Sequence, residues 1–454
     1  MDMLPDVALL EIFDFYVYQG PWMTAWHTLV HVCRKWRNVV FGSPRRLDLR
    51  LWCKASTPVR ERLDVWPHLP IAIGGNREWE WGVDNLIAAL KHNDRIFQID
   101  IWSNSNLRIE KVLAAMQQPF PALTHVHLEC GRGTAAVAPA SFLGGSAPAL
   151  QELFLGFISF SGFPRLLLSA THLVQLELWG IPHSGYISPE AMVTCLSALT
   201  RLERLGIGFE SPRSRPDRIT RRPPPLTRIF LPALATLEFT GVSEYLEDFV
   251  ARIDAPLLKM LHMTFFHQLI FDVPRLTQFI GRTPEFKAHD NLRVVFSGGV
   301  AWATTLLRTF VEVEELEYGI LCGPSDWQLS SMAQLCSSFF PQALFPALEH
   351  LYILDYGSDW QDDIENSQWL EVLRPFTVVK DFYISSTLIP RIAPALQELV
   401  GERVIEVLPA LDTLFLGEPL PSESVLESIW KFVAARELAG HPLSVFRWDG
   451  RVQV

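Results

Sequence analysis

The chain of 454 residues lacks any long, uninterrupted apolar run, although 49% of its residues are hydrophobic. Its richest apolar stretch, residues 153–168, is broken by glycine, serine, proline and arginine. That stretch falls short of the roughly 20 apolar residues that a membrane-spanning helix needs. The N-terminus is acidic where a secretory signal would be basic. The sequence therefore predicts a soluble protein of the cytoplasm or nucleus that has no membrane partner.

Positive charge and paired cysteines are also scarce. Lys and Arg number 39 against 50 Asp and Glu, which gives a formal net charge of −11. Because nucleic-acid binding needs basic surface to neutralise phosphates, we expect no nucleic-acid partner. The six cysteines are widely spaced and form no C-x-x-C pair. This spacing predicts reduced thiols rather than a disulfide framework or a zinc site.

Signatures of catalysis are missing as well. Gly298 and Gly299 are not followed by the Lys-Ser or Lys-Thr pair of a phosphate-binding loop, and no G-x-S-x-G motif occurs. His27 and His31 are four residues apart but lack the glutamate of an H-E-x-x-H zinc site. The sequence predicts a protein that is not an enzyme and that uses no cofactor and no metal.

What the sequence does contain is a recurring phrase of the form Pro/Thr-x-Leu-x-x-Leu-x-Leu. The clear copies begin at Pro121, Pro148, Thr171, Thr200, Pro232, Pro256, Pro346 and Pro409. Weaker copies begin near Arg95, Asn291, Glu312, Thr377 and Pro442. The copies recur about every 29 residues, which is near the upper end for leucine-rich repeats.

The phrase has the spacing of a short strand that follows a bend. Alternate residues of a strand share a face, so the last two apolar residues of each copy point to the same side. Helical periodicity follows in several copies, for example after Ser188-Pro189-Glu190 and over residues 327–340, 369–376 and 422–438. Alternating strands and helices predict an α/β fold of parallel strands with right-handed crossovers.

We expect residues 95–454 to form a curved solenoid with the strands on its concave face and the helices on its convex face. Residues 44–94 are predicted to be a linker with two early repeat-like strands, at residues 47–51 and 69–73. A single copy cannot bury its apolar residues, but stacked copies can.

The first 41 residues have a different pattern. Leu4 and Pro5 open an amphipathic helix, in which Leu9, Ile12 and Phe13 recur at helical spacing. A break at residues 19–21 is followed by a second helical period that contains the phrase V-C-R-K-W.

This N-terminal segment, residues 1–43, resembles the F-box, a three-helix module that binds the Skp-type adaptor of cullin-RING ubiquitin ligases. The residues that match are Leu4, Pro5, Ile12, Leu29, Val32, Cys33, Arg34, Trp36 and Arg37. Residues 19–24 make the first connection longer than the F-box pattern has it. The resemblance implies adaptor contacts from Leu4, Pro5, Leu9, Ile12, Phe13, Leu29, Val32 and Trp36.

The remaining four-fifths resemble the leucine-rich-repeat class, without its usual asparagine after the last leucine. Together the two parts are similar to the large fungal families of F-box proteins with degenerate repeats. The resemblance implies a substrate receptor of an SCF-type ubiquitin ligase, which holds a target protein near a ubiquitin-conjugating enzyme. The alternative is a non-catalytic repeat scaffold whose first helices only cap the solenoid.

A predicted target surface lies on the strands of the later repeats. Tyr352, Tyr383 and Phe415 occupy the position between the last two apolar residues of their copies, which faces away from the helices. We expect Glu315, Glu317 and Asp381 to border them. Aromatic residues with an acidic rim favour a basic or mixed protein partner. The alternative is that the rings merely pack against the next repeat.

One basic segment stands apart from the acidic background. Residues 211–225 contain five arginines and five prolines. This composition is typical of a solvated excursion from the repeats, with nuclear import as a lesser alternative.

Overall fold

The structure is a computed structural model that divides into two compact units, Met1–Tyr186 and Ile187–Val454. It describes the chain except for residues 1–3, 20–28, 30, 43–48, 57–58, 66–67, 69, 76–81, 134, 161, 217–227, 267–270, 284–285, 287–288, 299, 309–312, 322–324, 341–344, 359, 361–364 and 450–454. Both units are α/β, and most of their strands are parallel. The α/β class predicted from the repeats is therefore confirmed.

The first unit alternates strands with short helices. Its helices are α1 (Asp6–Gln19), α2 (Arg34–Gly42), α3 (Val59–Val65), α4 (Val83–Leu90), α5 (Asn106–Ala115) and α6 (Phe163–Ser169). Its strands are β1 (Leu49–Trp52), β2 (Ile71–Gly75), β3 (Ile96–Ser103), β4 (His125–Cys130), β5 (Ala136–Ala138), β6 (Glu152–Gly156), β7 (Ile158–Phe160) and β8 (Gln175–Ile181). Strands β1-β2-β3-β4-β6-β8 pair in that order and are all parallel, and β5 pairs with β7 beside them.

The second unit continues the same alternation. Its helices are α7 (Pro189–Leu196), α8 (Ser243–Val250), α9 (Pro274–Arg282), α10 (Ser325–Phe339), α11 (Asn366–Leu373), α12 (Ile389–Gln397) and α13 (Glu423–Leu438). Its strands are β9 (Arg204–Phe209), β10 (Ile229–Phe230), β11 (Thr236–Gly241), β12 (Ile253–Asp254), β13 (Met260–Phe266), β14 (Asn291–Ser297), β15 (Val300–Arg308), β16 (Val313–Leu321), β17 (His350–Tyr356), β18 (Asp381–Ile384), β19 (Thr413–Gly417) and β20 (Ser444–Trp448). Three short 3-10 helices span Phe142–Gly145, His183–Gly185 and Gly401–Ile405.

Each of the thirteen predicted repeat copies contains a strand. The apolar positions behave as predicted: in β4, Val126 and Leu128 are buried while His125 and His127 are half-exposed. The early strands predicted at residues 47–51 and 69–73 correspond to β1 and β2. The predicted helix start at Ser188 is confirmed, because its hydroxyl accepts a hydrogen bond from the Ala191 amide at 3.3 Å.

The prediction of an uninterrupted parallel series is wrong at residues 291–321. In the second unit β13 pairs with β16 rather than with β14, and β15 lies antiparallel between β16 and β14. Only Gly298 and Gly299 separate β14 from β15. A parallel connection needs a dozen or more residues, whereas a connection of two residues is suited to an antiparallel hairpin. Beyond the hairpin, β14 pairs with β17 and the parallel order resumes through β20.

Two buried charged side chains hold neighbouring repeats of the second unit together. The Glu247 carboxylate in α8 accepts hydrogen bonds from the backbone amides of Arg275 and Leu276, in the first turn of α9, at 2.5 and 2.8 Å. A carboxylate at this position satisfies amides that have no partner within the helix. The Arg436 guanidinium in α13 donates to the carbonyls of Leu408 and Leu411 at 3.1 and 2.8 Å. Among the described helices, none is both long and apolar enough to cross a membrane.

Candidate functional site

The N-terminal helices pack against each other through one face of α1. Leu9 and Phe13 are four residues apart on this helix, and both are buried. The Phe13 ring lies 4.8 Å from the Trp36 ring of α2, measured between centroids. Lys35 Nζ donates to the Leu4 carbonyl at 2.7 Å, so the start of α1 is tied to α2. These contacts pack α1 against α2.

Other apolar side chains of the same helices are exposed. Leu4, Ile12 and Val32 expose 43%, 46% and 47% of their surface, and Val7 exposes 68%. A single exposed apolar side chain is ordinary, but four of them within the N-terminal segment favour a binding surface. Val7 was not among the residues predicted to contact an adaptor, although it lies one turn from that stripe.

The eight predicted adaptor residues thus fall into two groups. The exposed ones, together with the half-buried Trp36, are Leu4, Pro5, Ile12, Val32 and Trp36. The buried ones are Leu9, Phe13 and Leu29. The buried group stabilises the helices from inside, so a partner would contact the exposed group. Sequence spacing placed Ile12 with Leu9 and Phe13, but the helix turns Ile12 to the border of that face.

The predicted aromatic residues of the second unit form a stack. Tyr352, Tyr383, Phe415 and Phe446 occupy matching positions on β17, β18, β19 and β20. Ring centroids are 4.2 Å apart for Tyr352–Tyr383 and for Tyr383–Phe415, with interplanar angles of 13° and 5°. Phe446 lies 5.8 Å beyond Phe415. We call these four residues the aromatic ladder.

Phe446 is a member that sequence reasoning missed. Counted from Leu443, the first apolar residue of the weak copy near Pro442, the repeat spacing predicts that Phe446 faces inward. The pairing of β19 with β20 instead sets Phe446 opposite Phe415, on the outward face.

The ladder is partly covered on its own sheet face. Trp448 lies 5.9 Å from Tyr352 and 5.5 Å from Tyr383, measured between ring centroids. Tyr352 exposes only 6% of its surface and packs in a small apolar cluster with Val295 and Leu354. Tyr383 and Phe415 remain half-buried. The ring faces are therefore largely occupied by neighbouring rings, and the ring edges are what a partner would meet.

Packing in the ladder raises the pKa values of its two tyrosines. The two tyrosine rings are stacked, so each phenol shields the other from water. Burial raises the pKa of Tyr383 well above its ordinary value, and the neighbouring Tyr352 and Asp381 raise it further. Burial also raises the pKa of Tyr352. Both phenols are therefore neutral hydrogen-bonding groups across the physiological range.

The acidic rim predicted for the ladder is only partly present. Asp381 lies beside the ladder, with one carboxylate oxygen 2.9 Å from His350 Nδ1. Glu317 is half-buried on β16, but β15 and β14 separate it from Tyr352. The intervening hairpin places Arg293 directly opposite Tyr352, so the predicted acidic border on this side is wrong. The side chain of Glu315 lies outside the described residues.

The strands of the first unit carry a different set of side chains at the same positions. We call the outward-facing residues of β3, β4, β6 and β8 the open face of the first unit. In register across the strands, these residues are Gln98, His125, Glu152 and Gln175; Asp100, His127, Phe154 and Glu177; and Trp102, Glu129, Gly156 and Trp179. They include four carboxylates and neither lysine nor arginine.

The centre of this open face is His127. Its ring is stacked on Phe154 with centroids 4.1 Å apart. Its two ring nitrogens lie 3.9 Å from carboxylate oxygens of Asp100 and Glu129. The neighbouring His125 Nε2 lies 3.5 Å from the Glu152 carboxylate. Planar aromatic surface and negative charge therefore alternate across this face.

The cysteines and acidic residues do not suggest a metal site. Within the described part of the chain, no group of three or more His, Cys, Asp or Glu residues is placed to hold a metal ion. The five described cysteines form no disulfide; Cys53, Cys130, Cys195 and Cys336 are buried, and Cys33 is exposed. Burial raises the pKa of Cys53 to about 12, which makes it a poor nucleophile at neutral pH.

Comparison with known proteins adds no family to this picture: no family model matches the chain, and no curated protein matches it.

Proposed function

We propose that the protein is the substrate-recognition subunit of an SCF-type ubiquitin ligase. Residues 1–43 would act as an F-box that binds a Skp-type adaptor and, through it, a cullin-RING ligase. The repeats would form a leucine-rich-repeat solenoid that holds the target protein. The protein would contribute proximity, because holding a target beside a charged conjugating enzyme raises its effective concentration.

The observation that carries this proposal is the exposed apolar surface of the N-terminal helices. Leu4, Val7, Ile12 and Val32 expose a large part of their side chains, although the adjacent Leu9 is fully buried. Exposed apolar side chains beside buried ones on the same short segment favour a surface that a partner covers. The resemblance of these helices to the F-box supplies the identity of that partner.

Target recognition would use the later repeats. Tyr383 and Phe415 supply half-buried rings, with Asp381 beside them and Glu317 further along the sheet. Tyr352 would contribute indirectly. It is buried on the neighbouring strand, and its ring holds Tyr383 in position by stacking against it. The identity of the target is left open by these residues.

Binding of a purified Skp-type adaptor to the full chain tests the proposal. The test variant Ile12→Ser with Val32→Ser removes two exposed apolar side chains and leaves the interior of the helices intact. Each side chain is about half exposed, so burying the rest of it in an interface is worth about 1 kcal/mol, and we expect loss of both to weaken binding about thirtyfold.

A matched control replaces two exposed leucines of the same unit, Leu107→Ser with Leu168→Ser, which lie on α5 and α6. The control should bind the adaptor like the unmodified chain. Failure of the unmodified chain to bind, or equal binding by the test variant, would reject the proposal.

A second function is a repeat scaffold that the first helices only cap. The burial of Leu9, Phe13 and Leu29 favours this alternative, since these residues close part of the predicted adaptor surface. It predicts no adaptor binding and a large loss of repeat stability when residues 1–43 are deleted. An adaptor receptor predicts the reverse for both measurements.

A further inference from the structure

We propose that two copies of the chain form a twofold-symmetric dimer through the last strand and the last helix of the second unit. We call this surface the end surface; it consists of β20 and the exposed side of α13. It is distinct from the N-terminal helices, so the dimer does not depend on adaptor binding and can be tested separately from it.

The edge of β20 opposite β19 has no partner strand in the described part of the chain. The Ser444 amide donates to the Asp412 carbonyl on the β19 side, so the backbone groups of Val445 and Arg447 point to the opposite edge. Proteins commonly protect such an edge with proline, several charges or a bulge, whereas β20 has one charged residue and no proline. This edge is therefore suited to pairing with another strand.

The helix-facing side of β20 is incompletely covered as well. On β19, Leu414 and Leu416 are buried. The residues paired with them on β20 are Val445, which is half-buried, and Arg447, which is exposed. In stacked repeats the next strand and helix cover these positions. A second copy of β20 and α13 can supply that cover.

Helix α13 exposes apolar side chains on the side away from its buried residues, which are Ile429, Phe432 and Arg436. Trp430 and Leu438 expose 53% and 90% of their surface and lie on one side of the helix. Exposed apolar residues on the helix that directly precedes an open strand edge favour a surface that another molecule covers.

Both elements have a large exposed side chain at their middle, which favours a second copy as that molecule. Phe446 is the central residue of the five-residue β20, and Trp430 lies midway along the 16-residue α13. Antiparallel pairing of two copies of β20 about Phe446 sets Val445 of each copy opposite Arg447 of the other, with the backbone groups of both pointing to the shared edge. Pairing centred on Arg447 would instead oppose like charges.

The twofold axis of this pairing is perpendicular to the sheet, so it also sets the two α13 helices antiparallel on the same side of the sheet. Each helix would then present Trp430 midway along the contact. The two Phe446 residues lie directly opposite each other, with about 4.5 Å between their Cα atoms, so their rings join the two aromatic ladders into one.

The exposed area is in the range that a stable dimer needs. Phe446 exposes 54% of its surface. Together with Trp430 and Leu438 it offers roughly 400 Å² of apolar surface per copy, about half of the ~800 Å² that each partner of a stable interface buries. The paired strand edges and the half-buried Leu426 and Val433 on α13 add to this area.

Sedimentation equilibrium of the full chain tests the dimer. We expect a monomer–dimer equilibrium with a dissociation constant in the micromolar range or below. Trp430→Ser with Leu438→Ser should raise that constant at least about a hundredfold, because each dimer loses four apolar contacts. A chain that stays monomeric at about 100 µM would overturn the proposal.

Two control variants locate the interface. Phe230→Ser with Leu257→Ser removes an aromatic residue and a leucine of the same unit that are 57% and 55% exposed, and it should dimerise within about twofold of the unmodified chain. Ile12→Ser with Val32→Ser should also leave the dimer intact. Equal weakening by the test variant and either control, or loss of the dimer only in the Ile12 and Val32 variant, would place the interface elsewhere.

Val445→Pro separates strand pairing from helix packing. The Val445 amide points away from β19, so proline removes a donor that only the second copy would use. We expect it to raise the dissociation constant at least about tenfold while circular dichroism shows a folded chain. Unchanged dimerisation of this folded variant would contradict pairing through β20.

Disulfide cross-linking tests the register. The Phe446 positions of the two copies are close enough for a disulfide, so Phe446→Cys should give a covalent dimer with oxidised glutathione. Ser444→Cys is the matched control on the same strand, because its two Cα atoms would be roughly 14 Å apart in this register. An equal yield of covalent dimer from Ser444→Cys or from the unmodified chain would overturn the register.

Discussion

The open face of the first unit and the same face of strands β17 to β20 in the second unit have the same backbone arrangement and different chemistry. In both units the residue between the last two apolar positions of each repeat points away from the helices. In the first unit these residues are Asp100, His127, Phe154 and Glu177, so the face mixes charged groups with aromatic surface. In the second unit the equivalent residues from β17 to β20 are aromatic, and they pack into a ladder. One side chain per repeat therefore decides whether this sheet face is a surface or a second apolar layer.

The physical reason is the fixed distance between neighbouring strands. Parallel strands lie about 4.8 Å apart, which is close to the separation at which aromatic rings stack favourably. Tyr383 and Phe415 meet this geometry, with 4.2 Å between their centroids. Carboxylates at the same distance repel one another. In the first unit, His127 and Phe154 therefore separate Asp100 from Glu177 across the strands.

The largest expected difference between the two faces concerns loss of a ring. Tyr383→Ala removes the middle ring of the ladder and leaves Tyr352 and Phe415 without a stacking partner, which should cost about 3 kcal/mol of unfolding free energy. Phe154→Ala in the first unit removes a half-exposed ring and should cost about half as much. Denaturant unfolding of the full chain, monitored by circular dichroism, measures both. Equal losses would mean that the ladder is not a packed layer.

The next prediction concerns high pH. The pKa values of Tyr352 and Tyr383 are raised in the folded protein above the ordinary value of 10.0. A group whose folded pKa is raised contributes stability that is complete below its unfolded pKa and is lost as the pH rises through the folded pKa. We therefore expect the ladder to lose stability above about pH 10.

Tyrosinate absorbance measures this effect. The chain has eight tyrosines, and these two should ionise later than exposed ones, together with unfolding. The variant Tyr352→Phe with Tyr383→Phe keeps the rings and should lack the late phase. A late phase that persists in this variant would assign it to other tyrosines.

A smaller effect is expected from the acid–histidine pairs of the two faces. Asp381 lies 2.9 Å from His350 in the second unit, whereas Asp100 lies 3.9 Å from His127 in the first and is more exposed. We expect Asp381→Asn to cost about 1 kcal/mol and Asp100→Asn about 0.3 kcal/mol. Thermal unfolding of the two variants, compared with the unmodified chain, checks the order. The reverse order would show that exposure does not set the strength of these pairs.

The sequence predicts the repeat strands and the aromatic ladder, but it does not predict which strand lies next to the ladder. The thirteen repeat strands and the alignment of Tyr352, Tyr383 and Phe415 follow from a period-two pattern at a constant repeat spacing. Strand β15 carries no repeat phrase, and its only signal was the Gly298-Gly299 pair between two apolar stretches. Without β15, the repeat pattern predicts that Glu317 on β16 borders Tyr352 on β17. In the structure β15 and β14 lie between these two strands, so Arg293 on β14 is the neighbour of Tyr352.

Two further features depend on tertiary placement. Trp448 reaches Tyr352 across two intervening strands, so its contact follows from the sheet and not from spacing along the chain. Ile12 lies three residues from Leu9, and a small change in helix phase separates an exposed from a buried position. Periodicity identifies the apolar stripe, but its edge is set by what packs against it.

Hydrogen exchange measures directly where the adaptor binds. Backbone amides of the full chain are compared with and without a purified Skp-type adaptor. We expect slower amide exchange in peptides that cover residues 4–13 and 29–36, and unchanged exchange rates in strands β3 to β20. Absence of any protection, or protection confined to the repeat strands, would contradict the assignment of the N-terminal helices as an adaptor-binding module.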